Sequence, residues 1–433
     1  MNQLKRIAGA GLAPLMILSV TALSVMTFAA CPTPVDGGFG STGGGGNNSP
    51  PGSTPANPIN KTVTGTLGVS EWTSLLNEIA AAGKYAALDL SACTVNPDSA
   101  VSSGGGLYND GTFDTGRTVS TGKDKIVSLI LPSAAVTIQS DYDLDQEIFA
   151  FTYFTSLAGV TGAGVTDIEP STFIGCTSLT AVNFPAVTTI GQQAFNQCGL
   201  TTIHLPASLT SIAGNAFFLC TGLTTITVDA ANSSYSHSGD KKMLLNKAGD
   251  TLVAFPSASG AVSLPVTGTT GFAFAGCAGL TTVDLPSAAS IGEFTFSVCP
   301  NLTMVSLPSA TSIGEYTFSY CPNLTMVSLP SAASIGRDAF AHTSGTALTV
   351  TLGSTAPTLE RQIFYNVTEA KTVTVKVPSG AAGYGTLPAT YSGNDTTVCW
   401  GNGFRGGGWD GSAIRDDRKI NTNITLTIEE YTP

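Results

Sequence analysis

Apolar and polar positions alternate in short segments that recur along most of the chain. Each segment has the form L-x-x-V-x-L-P, with threonine and serine between the apolar residues, as in residues 302–308. This alternation is typical of a strand with one buried face, and the proline ends the strand because it cannot donate to a sheet ladder. The pattern therefore predicts a series of short strands.

The segments belong to a repeat of 22 residues. Residues 292–313 and 314–335 are identical at 19 of 22 positions. A phenylalanine recurs at one place in each unit, and an Ile-Gly pair marks the junction of most units. A single unit is too short to enclose a core, but stacked units bury equivalent side chains in continuous columns. The recurring phenylalanines are Phe151, Phe173, Phe195, Phe217, Phe274, Phe296, Phe318, Phe340 and Phe364.

The units F-x-x-C-x-x-L-x-x-V-x-L-P-x-x-x-x-x-I-G resemble those of the BspA-like, or treponemal-type, leucine-rich repeat proteins of bacterial surfaces. The wider gap between Phe217 and Phe274 contains N-x-x-Y, L-x-x-K and L-x-x-P, similar to an insertion common in that family. The resemblance covers residues 125–378. It implies protein binding or adhesion, with host matrix proteins such as fibronectin or fibrinogen, or a bacterial surface protein, as partners.

The predicted fold is an α/β-type repeat solenoid dominated by β structure. It is a leucine-rich-repeat solenoid of 22-residue coils with one parallel sheet, capped at both ends. The solenoid occupies residues 125–378, with an insertion at about 229–263. Residues 61–124 form an N-terminal cap of helix and strand, and residues 379–433 form a C-terminal cap or a small β element.

The N-terminal cap contains a helix over residues 71–82. Ser70 is the expected N-cap, and Gly83 ends the helix. Trp72, Leu75, Leu76 and Ile79 are spaced to form one buried face.

The N-terminus has the three-part pattern of an export signal. Lys5 and Arg6 precede an uncharged, largely apolar segment, 7–26, and small residues follow before Cys31. Residues 28–31, Phe-Ala-Ala-Cys, resemble a bacterial lipobox, in which the cysteine is lipidated. We therefore expect residues 1–30 to be a lipoprotein signal peptide and Cys31 to anchor the protein to the outer membrane or cell surface. A plain signal peptide and a membrane span over 7–26 are the alternatives.

Residues 31–60 and the overall charge are those expected of a protein displayed outside the cell. This segment is rich in glycine and proline, so it is a flexible tether that lifts the solenoid from the membrane. The formal net charge is −11, and only 11% of residues are charged. A chain with few cations and this sign is a poor partner for nucleic acid, so none is expected.

No pattern of residues indicates catalysis or a cofactor. The acidic segment 141–145 has the spacing of a calcium loop, but the glycine and glutamate that such a loop needs at positions six and twelve are missing. The glycine-rich segment 404–409 lacks the lysine and helix start of a phosphate loop. We expect no enzyme activity, no catalytic or metal-ligating residue and no cofactor. An extracellular hydrolase that uses residues 379–433 is a remote alternative.

A cysteine stands three residues after the phenylalanine in six units, and we call this set the cysteine column. Phe154 and Thr343 fill the same place in flanking units, which favours a small or apolar buried group over a bridged pair. We therefore expect structural free thiols. Disulfides between neighbouring coils and a zinc site are the alternatives. The column comprises Cys176, Cys198, Cys220, Cys277, Cys299 and Cys321.

The outward positions of the strands form the candidate protein-binding face. This face is neutral and rich in hydroxyl groups, with two methionines as its apolar part. Extended solenoid surfaces bind partners, although threonine also suits a solvated strand. The favoured function is non-catalytic protein binding, and the alternative is a structural envelope scaffold. The candidate residues are Thr202, His204, Thr225, Thr227, Thr282, Asp284, Met304, Ser306, Met326 and Ser328.

Overall fold

The chain winds into coils, and each coil contributes a longer strand to one sheet and a two-residue strand to another. The computed structural model describes residues 55–95, 105–116, 119–138, 149–343, 345–359, 371–382, 389–391 and 424–432. These residues lie in the second of two units of the chain, Pro51–Pro433. The predicted β-dominated parallel solenoid is confirmed.

The longer strands form three hydrogen-bonded sheets, in the orders β1-β2-β5-β7-β9, β11-β13 and β17-β19-β21-β23-β25-β27-β29-β28. Every pairing in them is parallel except β28 with β29. We call them the first sheet, the strand pair and the last sheet. Their bounds are β1 (Ile59–Thr66), β2 (Ala86–Thr94), β5 (Ile126–Ile130), β7 (Gly159–Thr161), β9 (Ala181–Asn183), β11 (Thr202–Leu205), β13 (Thr225–Val228), β17 (Ser259–Ser263), β19 (Gly279–Asp284), β21 (Met304–Ser306), β23 (Met326–Leu329), β25 (Ala347–Leu352), β27 (Lys371–Pro378), β28 (Ala389–Tyr391) and β29 (Ile424–Tyr431).

A second series of mostly two-residue strands corrects the prediction of one parallel sheet. These strands form two further sheets, β12-β10-β8-β6-β4-β3 and β14-β15-β16-β18-β20-β22-β24-β26. Two residues are too few to show a period of two, so alternation could not reveal them. Their bounds are β3 (Gly106–Leu107), β4 (Thr112–Asp114), β6 (Thr137–Ile138), β8 (Asp167–Ile168), β10 (Thr189–Ile190), β12 (Ser211–Ile212), β14 (Tyr235–His237), β15 (Leu244–Asn246), β16 (Thr251–Ala254), β18 (Gly268–Thr269), β20 (Ser290–Ile291), β22 (Ser312–Ile313), β24 (Ser334–Ile335) and β26 (Thr358–Leu359).

The repeat positions form columns of stacked side chains in the core. The rings of Phe274, Phe296 and Phe318 stack with centroid separations of 5.3 and 5.7 Å. Val305 and Leu307 are fully buried between the equivalent residues of adjacent coils. The buried side chains divide into two clusters, one from Leu67 to Ala254 and one from Leu252 to Val377. The clusters meet at the insertion.

The insertion is a β-meander that joins the two clusters. Strands β14, β15 and β16 are antiparallel, and β16 then pairs parallel with β18. The N-x-x-Y residues explain its attachment. The Asn232 side chain donates to the carbonyls of Pro206 and Leu209 at 2.8 and 2.9 Å. The Tyr235 hydroxyl accepts the Ile212 N–H at 3.0 Å. The last residues of the predicted insertion form β17, which already belongs to the last sheet.

The N-terminal helix α1 (Val69–Ala82) begins earlier than the sequence predicts. Its N-cap is Gly68 rather than Ser70, because the Glu71 carboxylate reaches back to accept the Gly68 N–H at 3.0 Å. Gly83 ends the helix in the left-handed conformation, with φ of 62°. The four residues of the predicted face, Trp72, Leu75, Leu76 and Ile79, are buried. A short 3-10 helix, Lys123–Lys125, precedes β5.

Both ends of the solenoid extend the sheets. Strand β1 begins at Ile59, inside the segment that the sequence assigns to the tether, and it pairs parallel with β2. At the other end β29 pairs parallel with β27 over their full lengths. The segments 1–54, 141–148 and 404–409, which contain the predicted signal peptide, Cys31, the acidic segment and the glycine-rich segment, lie outside the described residues.

Candidate protein-binding face

Alternation along the strands of the last sheet directs one set of side chains into the core and the other outward. In β21, Val305 is fully buried, whereas Met304 and Ser306 lie on the opposite face. Strand register aligns these outward residues in two rows across the sheet. The first row is Thr282, Met304, Met326 and Thr349, and the second is Asp284, Ser306, Ser328 and Thr351. We call these eight residues the exposed face.

The structure separates the ten candidate residues into two groups. Thr282, Asp284, Met304, Ser306, Met326 and Ser328 lie together on the exposed face. Thr202, His204, Thr225 and Thr227 lie on the strand pair β11–β13, where His204 Nδ1 is 3.1 Å from Thr227 Oγ1. The meander lies between the two groups along the chain, and Lys241 O accepts the Ile226 N–H of β13 at 2.6 Å. The ten residues thus do not lie on one hydrogen-bonded sheet.

The rows continue toward the C-terminus beyond the residues that the sequence predicts. Thr349 and Thr351 on β25 align with Thr374 and Lys376 on β27. Beyond them, Lys376 pairs with Glu429 on β29. A T-x-T pattern in β25 and in β27, where one apolar residue separates two outward threonines, indicates this continuation. The repeat motif alone does not predict it, because the repeat spacing changes after Phe340.

Met304 and Met326 form the apolar centre of the exposed face. Each is 42% exposed, and the two are direct partners on neighbouring strands. Among the described residues the other large hydrophobic side chains with comparable exposure are Ile59, Val69 and Val136. An adjacent pair of exposed methionines is therefore distinctive, because scattered single apolar residues are normal at a protein surface.

Hydroxyl and amide groups at the edge of the exposed face fasten each coil to the preceding one. The Thr303 hydroxyl donates to the Thr281 carbonyl at 2.9 Å, and the Thr325 hydroxyl donates to the Thr303 carbonyl at 3.0 Å. The Asn301 and Asn323 amides make equivalent bonds to the preceding coils at 2.7 Å. These contacts hold the strands in register, so the exposed face is a rigid surface.

The repeats match a known family. Residues 143–239 and 262–371 match the BspA type leucine rich repeat region, in six copies. The repeats of this chain are BspA-type leucine-rich repeats. The resemblance predicted from the repeat motif is confirmed, and the interval between the two matched segments contains most of the β-meander.

Solved structures similar to this chain come from several bacteria. A leucine-rich cell surface protein of Faecalibacterium prausnitzii is 29% identical, with a TM-score of 0.42 over 55% of this chain and 63% of its own. The pneumococcal vaccine antigen PcpA is 18% identical, with a TM-score of 0.43 over 59% and 74%. A protein of Eubacterium ventriosum is 20% identical, with a TM-score of 0.40 over 57% and 84%. The chain thus spans less than two thirds of the Faecalibacterium protein. No curated protein sequence matches it significantly.

The cysteine column of the BspA-type repeats lies in the core and links successive coils. Cys198, Cys299 and Cys321 donate their thiols to phenylalanine carbonyls of the preceding coil at 3.0, 3.2 and 3.0 Å. Burial raises the pKa of the Cys176 and Cys277 thiols to about 12, so these groups stay protonated at neutral pH. All seven cysteines in the described part of the chain are free. The described residues contain no cluster of three or more potential metal ligands.

We propose that the column acts as structural thiols whose donation to a carbonyl adds to their packing. Cys299→Ala and Cys299→Ser are each expected to lower the free energy of unfolding by about 1–3 kcal/mol. Alanine removes the hydrogen-bond donor, whereas serine keeps a donor but on a shorter side chain. If disulfides bridged the column instead, the loss of one would lower the free energy of unfolding by about 2–5 kcal/mol. Reductant would then lower the melting temperature. The check is to alkylate thiols in denaturant before reduction. No more than about two alkylated thiols per chain would show that the column is bridged by disulfides.

The described residues contain no helix that is both long and apolar enough to cross a membrane.

Proposed function

We propose that this BspA-type repeat protein is a non-catalytic protein-binding module that acts as an adhesin at the bacterial surface. Leucine-rich repeat domains generally mediate protein–protein interactions, and the extended surface of a solenoid suits that role. The observation that supports the proposal most is the exposed Met304–Met326 pair on a rigid, hydroxyl-rich sheet. Methionine side chains are flexible and polarizable, so they adapt to varied apolar partners.

The low density of charged groups supports binding without catalysis. Residues 270–335 contain only three charged side chains, Asp284, Glu293 and Glu315. Glu315 forms an ion pair with Arg337 at 2.8 Å. Burial and the neighbouring Glu315 charge raise the pKa of Glu293, but no nucleophile or second acid among the described hydrogen bonds engages it. These coils therefore offer few ionisable side chains for general acid–base catalysis.

The partner is proposed to be a host matrix protein or a surface protein of a neighbouring cell. The test is a pull-down from serum and from a matrix protein mixture with residues 32–433 immobilised at moderate salt. Retention of a specific protein above the level on a blank support is the expected result. Retention of nothing would overturn the adhesin proposal and favour the structural envelope scaffold.

Lipid anchoring through Cys31 is a separate proposal with its own test. Cys31→Ala should move the protein from the detergent phase to the aqueous phase, because it removes the site to which lipid is attached. Partition between detergent and aqueous phases, followed by immunoblotting of cells and medium, measures the change. If the variant stays in the detergent phase, residues 7–26 act as a membrane span and the lipid anchor is wrong.

A further inference from the structure

The coils that carry Asp284, Met304 and Met326 contain charged side chains of one sign. Residues 248–336 contain no lysine, arginine or histidine, and their acidic residues are Asp250, Asp284, Glu293 and Glu315. Asp250 bonds the Asn246 side chain in the meander, and Glu315 pairs with Arg337. Asp284 is the acidic residue that lies on the exposed face.

Asp284 lies close to the methionine pair and far from the cation in its own row. Asp284 pairs with Ser306 on the neighbouring strand, and Ser306 is two residues from Met304. The Cα atoms of Asp284 and Met304 are therefore roughly 8 Å apart. Its polar contact is with the Ser263 hydroxyl, which donates to Oδ2 at 3.3 Å. The cation that shares its row is Lys376, four strands away at about 19 Å.

That separation leaves the Asp284 charge uncompensated by Lys376. It exceeds the screening length of about 8 Å at physiological ionic strength. Lys376 also has Glu429 as its direct cross-strand neighbour. None of the ion pairs among the described residues involves Asp284. The carboxylate is therefore available to a cation from outside the chain.

We propose that Asp284, Met304 and Met326 together recognise a protein segment in which an apolar side chain is next to a lysine or arginine. The apolar side chain packs on the methionine pair, and the cation reaches Asp284. The methylene stem of a lysine or arginine is long enough to lie along the methionines while its charge contacts the carboxylate. An acidic segment would meet only like charge on these coils. This inference rests on the proposed function and specifies the partner of the same face.

The test uses labelled methionine methyl groups as reporters at the site. Residues 32–433 with ¹³C-methyl methionine are titrated with four Gly-Ser decapeptides whose central pair is Leu-Lys, Leu-Gln, Leu-Glu or Ser-Lys. The methyl signals are assigned with the Met304→Ser and Met326→Ser variants. The Leu-Lys peptide should shift both signals and bind roughly two- to fivefold more tightly than Leu-Gln at low salt, with Leu-Glu weakest. The preference for lysine should fade as salt is added.

Two charge-neutralising variants separate recognition at Asp284 from a general effect of charge. Asp284→Asn should abolish the preference for Leu-Lys over Leu-Gln. Glu293→Gln removes a carboxylate from the same coils but from another side, so it should leave the preference unchanged. Equal binding of Leu-Glu and Leu-Lys, a preference that survives Asp284→Asn, or no methyl shift with any peptide would overturn the inference. A matrix protein retained by wild type and Asp284→Asn alike would leave the proposed function standing while the inference fails.

Discussion

Phe296→Ala is expected to lower the free energy of unfolding by about 3–5 kcal/mol, because it empties the centre of a stacked core column. Phe296 is fully buried, and its ring stacks on Phe274 at 5.3 Å and on Phe318 at 5.7 Å. The coils on both sides are held by backbone and side-chain bonds, so they cannot close over the cavity without leaving register.

Denaturant unfolding followed by far-UV circular dichroism measures this effect. Thr281→Ala, a half-buried threonine in the same region, is the control and should change the free energy by less than about 1 kcal/mol. Because repeat proteins can unfold in parts, hydrogen exchange of β19, β21 and β23 should show the same loss. A loss below about 1 kcal/mol for Phe296→Ala would mean that the phenylalanine column contributes little.

Gly314→Ala is expected to lower stability by about 1–3 kcal/mol or more, although alanine normally stabilises a backbone relative to glycine. A Cβ at Gly314 would lie 2.5 Å from the Glu293 nitrogen and 2.6 Å from the Gly292 carbonyl carbon. Both atoms belong to the backbone of the preceding coil, so relief requires the coils to separate. The glycine of the Ile-Gly pair thus sets the spacing between successive coils.

The matched control for this substitution lies in the meander. A Cβ at Gly239 would have no neighbour within 4 Å, and the residue does not have the positive φ that disfavours alanine. Gly239→Ala should therefore leave the melting temperature unchanged or raise it slightly. Calorimetry of both variants gives the comparison, and equal melting temperatures would refute the close-approach explanation.

The features that the sequence predicted are those that repeat many times. Phenylalanine, leucine and valine recur at fixed intervals, so they indicated the core columns, the parallel stacking and the outward direction of Met304 and Met326. The buried face of α1 was predicted for the same reason, since four apolar residues share one period. Repetition makes a weak local signal reliable because every unit must satisfy the same packing.

The features that the sequence missed depend on single contacts or on distance in space. The start of α1 depends on one hydrogen bond from the Gly68 N–H to the Glu71 side chain. The sequence predicts Ser70 instead, because serine is a common N-cap residue. The division of the candidate residues depends on where the meander leaves β13, and no strand pattern contains that information. The donor role of the cysteine thiols requires knowing which carbonyl the preceding coil presents.

Protein binding by the exposed face is tested most directly by comparing two charged double variants. Met304→Glu/Met326→Glu places two carboxylates at the centre of the face. Ala289→Glu/Ala333→Glu places the same charge at exposed positions beside the short strands β20 and β24. Retention of matrix proteins by the immobilised chain should fall at least about tenfold for the methionine variant and stay at the wild-type level for the alanine variant. Equal retention by both variants would contradict binding through this face.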